Sequence, residues 1–309
     1  MIIIVLLAIA IAIAYWHFYP RLGHWLYHSG NRFEANLYGL KRAVINVDSI
    51  DHVYWHNGKS NKPSLLLVHG FSASYAVWLR FAQHFNQDYF VIIPDLAGHG
   101  ETGYEEDWNY AIDAQADRMA KLLRLLGCSK AHIVGNSMGG FIAAHMARYH
   151  SEICETITLI DPAGVSSPKP SKMLKMLQSG RNPFVMKSDD EFYEFYDMVM
   201  ARPPFAPKIV TDAISETYQN RSQQLSKIFS DYNRQSNYLE AELKNIITPA
   251  LLIWGAHDQL IDVSSTAIWQ EGLQCTVHIW YDLGHMPMME APERTAFAVK
   301  NHIFTQQRL

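Results

Sequence analysis

One stretch constrains this chain more than any other. Ala131-His132-Ile133-Val134 is a short, mostly apolar run of strand character, and Phe141 to His150 is a helix-period segment without Gly or Pro. Between them stands Gly135-Asn136-Ser137-Met138-Gly139-Gly140, a match to the G-x-S-x-G pattern of a nucleophile elbow. A serine on so sharp a strand-to-helix turn holds a strained backbone, and side chains two residues to either side would collide with their neighbours. Gly135 and Gly139 remove those side chains, and Gly140 adds further room. The Ser137 hydroxyl then stands exposed at a helix start, where backbone N–H groups and the helix dipole favour developing negative charge. The alternative is a glycine-rich turn whose serine only caps the helix. The strand before and the helix after favour the elbow.

The rest of the composition narrows the classes. The chain has 309 residues, 49% hydrophobic and 18% charged, enough for one large α/β core. A formal net charge of -4 gives no basic excess for nucleic acid. Cys128, Cys154 and Cys275 form no C-x-x-C pair, so neither a disulfide framework nor a thiolate zinc site is expected. The histidines include no H-E-x-x-H. His52 and His56 read as hairpin residues, and His17, His24 and His28 as interfacial ones. No metal is expected.

The N-terminus stands apart. Ile2 to Ala14 contains only Ile, Val, Leu and Ala, and no charged residue appears through Tyr19. With Tyr15, Trp16, Phe18 and Tyr19 at an interface, the segment is just long enough to span a bilayer. A cleaved signal peptide is the rival, with small-residue sites around Ala10 to Ala14. A buried core helix is a third reading, disfavoured by the lack of a polar face. The basic residues Arg21, Arg32, Lys41 and Arg42 all follow the apolar run, which favours an uncleaved single-pass anchor at residues 1–19 with the following domain on the cytoplasmic side. Residues 20–45 read as a juxtamembrane arm.

Beyond it, Ala43–Val47 and Val53–Trp55 read as strands with a turn at Asn57-Gly58, and Leu65–Val68, Phe90–Ile93 and Thr156–Ile160 as further strands. Tyr75–Phe85 and Ile112–Leu126 have helical period. This alternation predicts an α/β fold with a mostly parallel sheet and helices on both faces. It breaks between residues 165 and 245, a Met-, Phe- and Tyr-rich stretch with helices at Lys172–Leu177 and Asp189–Met200. This segment is expected to be a helical cap that lines a substrate pocket. Strands resume at Ala250–Trp254 and Thr276–Trp280, with helices at Ser264–Gln270 and Thr295–Phe304. The core is therefore expected at 46–164 and 246–309.

A serine hydroxyl needs a base, and the base a partner that fixes its tautomer. In open α/β sheets such groups gather beyond the carboxyl ends of the strands. Ser137, Asp258 and His285 all follow strands, in the order Ser, Asp, His that this kind of site uses. Asp258 would bond one ring nitrogen of His285, and the other would take the Ser137 proton. Asp161, Asp262 and Asp282 are alternatives for the acid; Asp161, which also ends a strand, is the best of them. The oxyanion donors are expected at the backbone N–H groups of Met138 and of Phe71, with Gly70 allowing close approach. One such donor is typically worth about 3 kcal/mol in the transition state.

His69-Gly70-Phe71-Ser72, Pro94 to Gly100, Gly135 to Gly140, Gly255-Ala256-His257-Asp258 and Gly284-His285-Met286-Pro287-Met288-Met289-Glu290 together resemble the α/β-hydrolase superfamily. With the apolar N-terminus, the chain is most similar to membrane-associated monoacylglycerol lipases and related bacterial lipases. The resemblance implies hydrolysis of lipid-like or small carboxylic esters through an acyl-enzyme, with no cofactor, and an acyl pocket shaped by the Phe192 face and the Pro203-Pro204-Phe205 turn. Carbon–carbon bond hydrolases of ring-cleavage products share these motifs and are the nearest alternative. A non-catalytic membrane-tethered binding protein is another, which a degenerate triad would signal.

Overall fold

The computed structural model describes residues 2–234 and 238–308, without the side chains of residues 2–3 and 8–17. The strands are β1 (Lys41–Val47), β2 (Ile50–His56), β3 (Ser64–Val68), β4 (Phe90–Pro94), β5 (Ala131–Asn136), β6 (Cys154–Ile160), β7 (Ala250–Gly255) and β8 (Thr276–Trp280). They form one sheet in the order β1-β2-β4-β3-β5-β6-β7-β8. The β1–β2 and β2–β4 pairs are antiparallel and all later pairs are parallel. This is an alpha/beta hydrolase fold. Strands β3, β4 and β7 are largely apolar because helices cover both faces of the sheet. Leu65, Leu66, Leu67 and Val68 are fully buried, each side chain worth about 2 kcal/mol.

The helices are α1 (Ile2–Leu37), α2 (Leu79–Ala82), α3 (Ile112–Leu125), α4 (Met138–Tyr149), α5 (Lys172–Gln178), α6 (Asp189–Val199), α7 (Lys208–Asn220), α8 (Ser222–Tyr232), α9 (Ser265–Leu273), α10 (Pro287–Glu290) and α11 (Pro292–Gln306). Helices α5 to α8 lie between β6 and β7, where the sequence suggested two. The chain bends at Gly58 with φ 73°, in the loop after β2, and the β1–β2 hairpin turns at Asp48 and Ser49, with φ of 53° and 65°, the twist that two-residue hairpins require. The helix expected over Tyr75–Phe85 is broken into a 3-10 turn at Tyr75–Trp78, α2, and a second 3-10 turn at Gln83–Phe85.

The N-terminus departs most from expectation. The division at residue 19 falls inside α1, which runs through Pro20 to Leu37, and the last residues of the expected arm belong to β1. Among the described residues no helix is long and apolar enough to cross a membrane, so a single-pass anchor at 1–19 is not supported. The side chains of residues 8–17, on which that expectation leaned, lie outside the described ones. Instead α1 docks along α7. Tyr19 Oη donates to Asp212 at 2.9 Å, and His24 Nε2 lies 2.9 Å from Glu216. Gly23 makes this approach possible, because a Cβ there would sit 2.2 Å from the Ile209 carbonyl oxygen.

Candidate active site

The turn after β5 is built by exclusion. A Cβ on Gly135 would lie 2.1 Å from the Gly139 carbonyl oxygen, and one on Gly139 would lie 2.2 Å from that of Val68. Between these contacts Ser137 takes φ 56° and ψ -118°, a region that disfavours side chains and costs about 1–3 kcal/mol. The strain is held by three backbone hydrogen bonds. Ser137 N donates to Ile160 O at 2.9 Å, and Ser137 O accepts from Phe141 N and Ala163 N at 3.0 and 3.1 Å. Ser137 therefore precedes α4, and Met138 is the first helical residue, whose N–H has no acceptor inside the helix.

His285 and Asp258 meet beyond the ends of β8 and β7. His285 Nδ1 lies 2.6 Å from Asp258 Oδ2, and both residues are buried. Asp258 Oδ1 also accepts from Leu260 N at 2.7 Å and Ile261 N at 3.0 Å, which fixes the carboxylate. The His285 backbone is held as firmly: its N donates to Val199 O at 2.9 Å, and its carbonyl accepts from Asn136 Nδ2 at 3.0 Å. Glu290 accepts from Gly284 N at 2.9 Å and from Arg202 N at 2.8 Å. Asn136 and Glu290 thus hold the loop that carries His285, and neither stands out in the sequence, although both lie inside the motifs quoted above.

The loop carrying Phe71 leans on the same turn. A Cβ on Gly70 would come within 3.2 Å of Ser137 Cβ, so the loop passes directly over the serine. His69 pins it: Nε2 accepts from Leu96 N at 3.1 Å, and Nδ1 donates to Gly70 O at 2.8 Å. Burial pushes the His69 imidazole down to about 4, so it is the neutral tautomer these bonds require. Phe71 packs its ring among His99, Phe184, Phe229 and Tyr232. Asp95 braces the next loop by accepting from Tyr75 N at 2.7 Å and Glu101 N at 2.8 Å. Burial pushes its carboxyl up to about 7.

Ser137, His285 and Phe71 line a cavity of about 980 Å³. Phe192, Phe195 and Phe205 contribute apolar wall from the segment between β6 and β7, and α1 closes one side through Tyr27, Phe33 and Leu37. A volume of this size suits a ligand with a long apolar portion. Of the alternative acids, Asp262 instead accepts from Ser264 N at 2.9 Å, and Asp282 is paired with Arg294 and Arg202. Asp161 alone lies beside Asp258 and His285: one oxygen or nitrogen from each of the three falls within 4.8 Å of the others.

Residues 65–299 match the model of the alpha/beta hydrolase family, and the chain belongs to that family. Lipases and monoacylglycerol lipases are among its relatives. Lipase 1 of Psychrobacter immobilis is 34% identical over 273 residues, covering 86% of this chain and 84% of the relative. The monoacylglycerol lipase abhd6-B of Xenopus laevis is 29% identical over 271 residues, covering 84% of this chain and 80% of the relative. Among solved structures, a membrane phospholipase A described as a bacterial virulence factor superposes with a TM-score of 0.89. It is 33% identical, and the match covers 100% of this chain and 99% of that one.

Proposed function

We propose that this protein is a serine hydrolase that cleaves the carboxylic esters of lipid-like substrates, monoacylglycerols among them, through an acyl-enzyme. The observation that carries the reading is the 2.6 Å bond between His285 and Asp258, with His285 and Ser137 lining one cavity. In this reading His285 Nε2 takes the hydroxyl proton as Ser137 Oγ bonds to the ester carbonyl carbon. The N–H groups of Phe71 and Met138 receive the oxyanion. Collapse breaks the ester C–O bond, and the leaving alcohol takes the proton from His285. Water, deprotonated by His285, then releases the fatty acid and restores Ser137.

Residues 165–245 act as the cap, of which 235–237 lie outside the described residues, and 46–164 with 246–309 as the catalytic core. The acyl chain lies among Phe192, Phe195 and Met286. The protein works at a membrane, as its similarity to a solved structure described as a membrane phospholipase A suggests. Exposed apolar residues lining the cavity support this: Phe33 and Leu37 on α1, and Phe205 at 91% exposure. The test compares the wild type with Ser137→Ala on monoacylglycerols of graded chain length. Turnover in the wild type and none in the folded variant is expected. Turnover unchanged in the variant contradicts the reading. Phe195→Ala should move the preferred chain length upward, because removing the ring from the wall deepens the cavity.

A further inference from the structure

Two buried carboxyls stand behind His285, and the mechanism above uses one. Asp161 extends β6 by one residue, its N donating to Ile253 O of the neighbouring β7 at 2.9 Å. It then turns with φ 45°, a value that places its side chain across the end of β7 and is uncommon for any residue but glycine. Oδ1 accepts from Gly255 N at 2.9 Å, and Oδ2 is buried without a hydrogen-bond donor among the described residues. Asp258, on the loop after β7, is the neighbouring acid, and His285 completes the cluster within 4.8 Å.

Two carboxylates this close in a dry site do not both ionise; one keeps its proton. The donors decide which. Asp258 accepts three N–H bonds, from Leu260, Ile261 and His285, whereas Asp161 accepts one. The charge therefore settles on Asp258 and the proton on Asp161, whose donor-free Oδ2 can carry it toward Asp258. The titratable groups around Asp161 are Asp258, His285 and Glu290 of α10. Burial first, then the Asp258 charge, hold the Asp161 carboxyl well above the ordinary carboxylate range, with Glu290 adding to the effect and the Gly255 N–H opposing it.

We propose that Asp161 is a positioning residue of the reaction: it shares one proton with Asp258, so that the pair presents a single negative charge to His285, and it takes over that charge when Asp258 is removed. The inference rests on the serine-hydrolase reading. It makes the acid of the triad a pair rather than a residue, and pair titration belongs to both members.

The experiment measures kcat/KM against pH on a soluble monoacyl ester for the full chain and for D161N, D258N, D161N/D258N and S137A. Loss of the only triad acid typically costs about 10⁴-fold. D258N is expected to stay at least about tenfold above D161N/D258N, with a rate that rises with pH along a limb that the double variant lacks. D161N alone, in which an amide N–H replaces the acid O–H, is expected to lose less than tenfold. Equal rates and equal profiles for D258N and D161N/D258N, with S137A inactive, overturn the pair and leave the serine reading intact. Full activity in S137A overturns that reading instead. Infrared difference spectra of wild type against D161N near neutral pH supply a second readout that does not need D258N to fold. A protonated-carboxyl C=O band lost in D161N is expected; identical spectra overturn the proposal.

Discussion

At the scale of the residue, Ser137 holds the strained turn after β5. Its φ of 56° and ψ of -118° are kept by the Ile160, Phe141 and Ala163 backbone bonds, not by its side chain. Ser137→Gly should therefore be more stable than Ser137→Ala by about 1–2 kcal/mol in denaturant unfolding, because glycine relieves the strain. Equal stabilities would mean the turn is not strained. Asn136 makes a different prediction. Its amide bridges Ile160 O and His285 O, so Asn136→Ala should lower kcat about tenfold with little change in KM, as the histidine loop loosens. That Asp258 meets His285, and that Ser137 shares a cavity with His285, could be anticipated from the sequence because each of the three follows a strand; their catalytic roles belong to the proposed function. The places of Asn136 and Glu290 could not, because side chains that bond to backbone leave no spacing pattern.

At the scale of the element, strands were easier to read than helices. Leu65–Val68 is an unbroken apolar run that a covered strand explains, and Ile157–Ile160 is apolar but for Thr158; the order of turns beyond them followed. Helices α7 and α8 escaped. Pro203, Pro204 and Pro207 look like breakers, and the buried residues of α7 (Thr211, Ala213 and Ser215) are too polar to form a stripe. Their burial comes from neighbours: Ser215 donates to Asp189 of α6 at 2.6 Å, and Ala213 faces Gly23 of α1. The same contacts make Gly23 a test of α1. Gly23→Leu should push α1 off α7, speed proteolysis between residues 20 and 40, and raise KM for long-chain esters more than for short ones. Unchanged proteolysis would show that α1 does not need this close approach.

At the scale of the whole molecule, buried histidines set the response to acid. Burial pushes His52, His69 and His132 down to about 4, while the unfolded chain titrates near 6.5. Between those values the unfolded state binds more protons, so stability is full above about pH 6.5 and falls as pH drops toward 4, by at most about 3 kcal/mol per histidine. Asp95, raised to about 7, works in the opposite sense and offsets part of the loss. His132→Gln, away from the site on β5, should flatten the fall in the denaturation midpoint across this window; an unchanged slope would assign acid sensitivity elsewhere. The central claim is that Ser137 is a nucleophile made reactive by His285. Its most direct measurement is the site of covalent labelling by a fluorophosphonate, mapped by mass spectrometry on the intact protein. The account predicts one adduct, on Ser137, that forms far more slowly in His285→Ala. Labelling at another residue, or labelling of Ser137 at the same rate without His285, would contradict it.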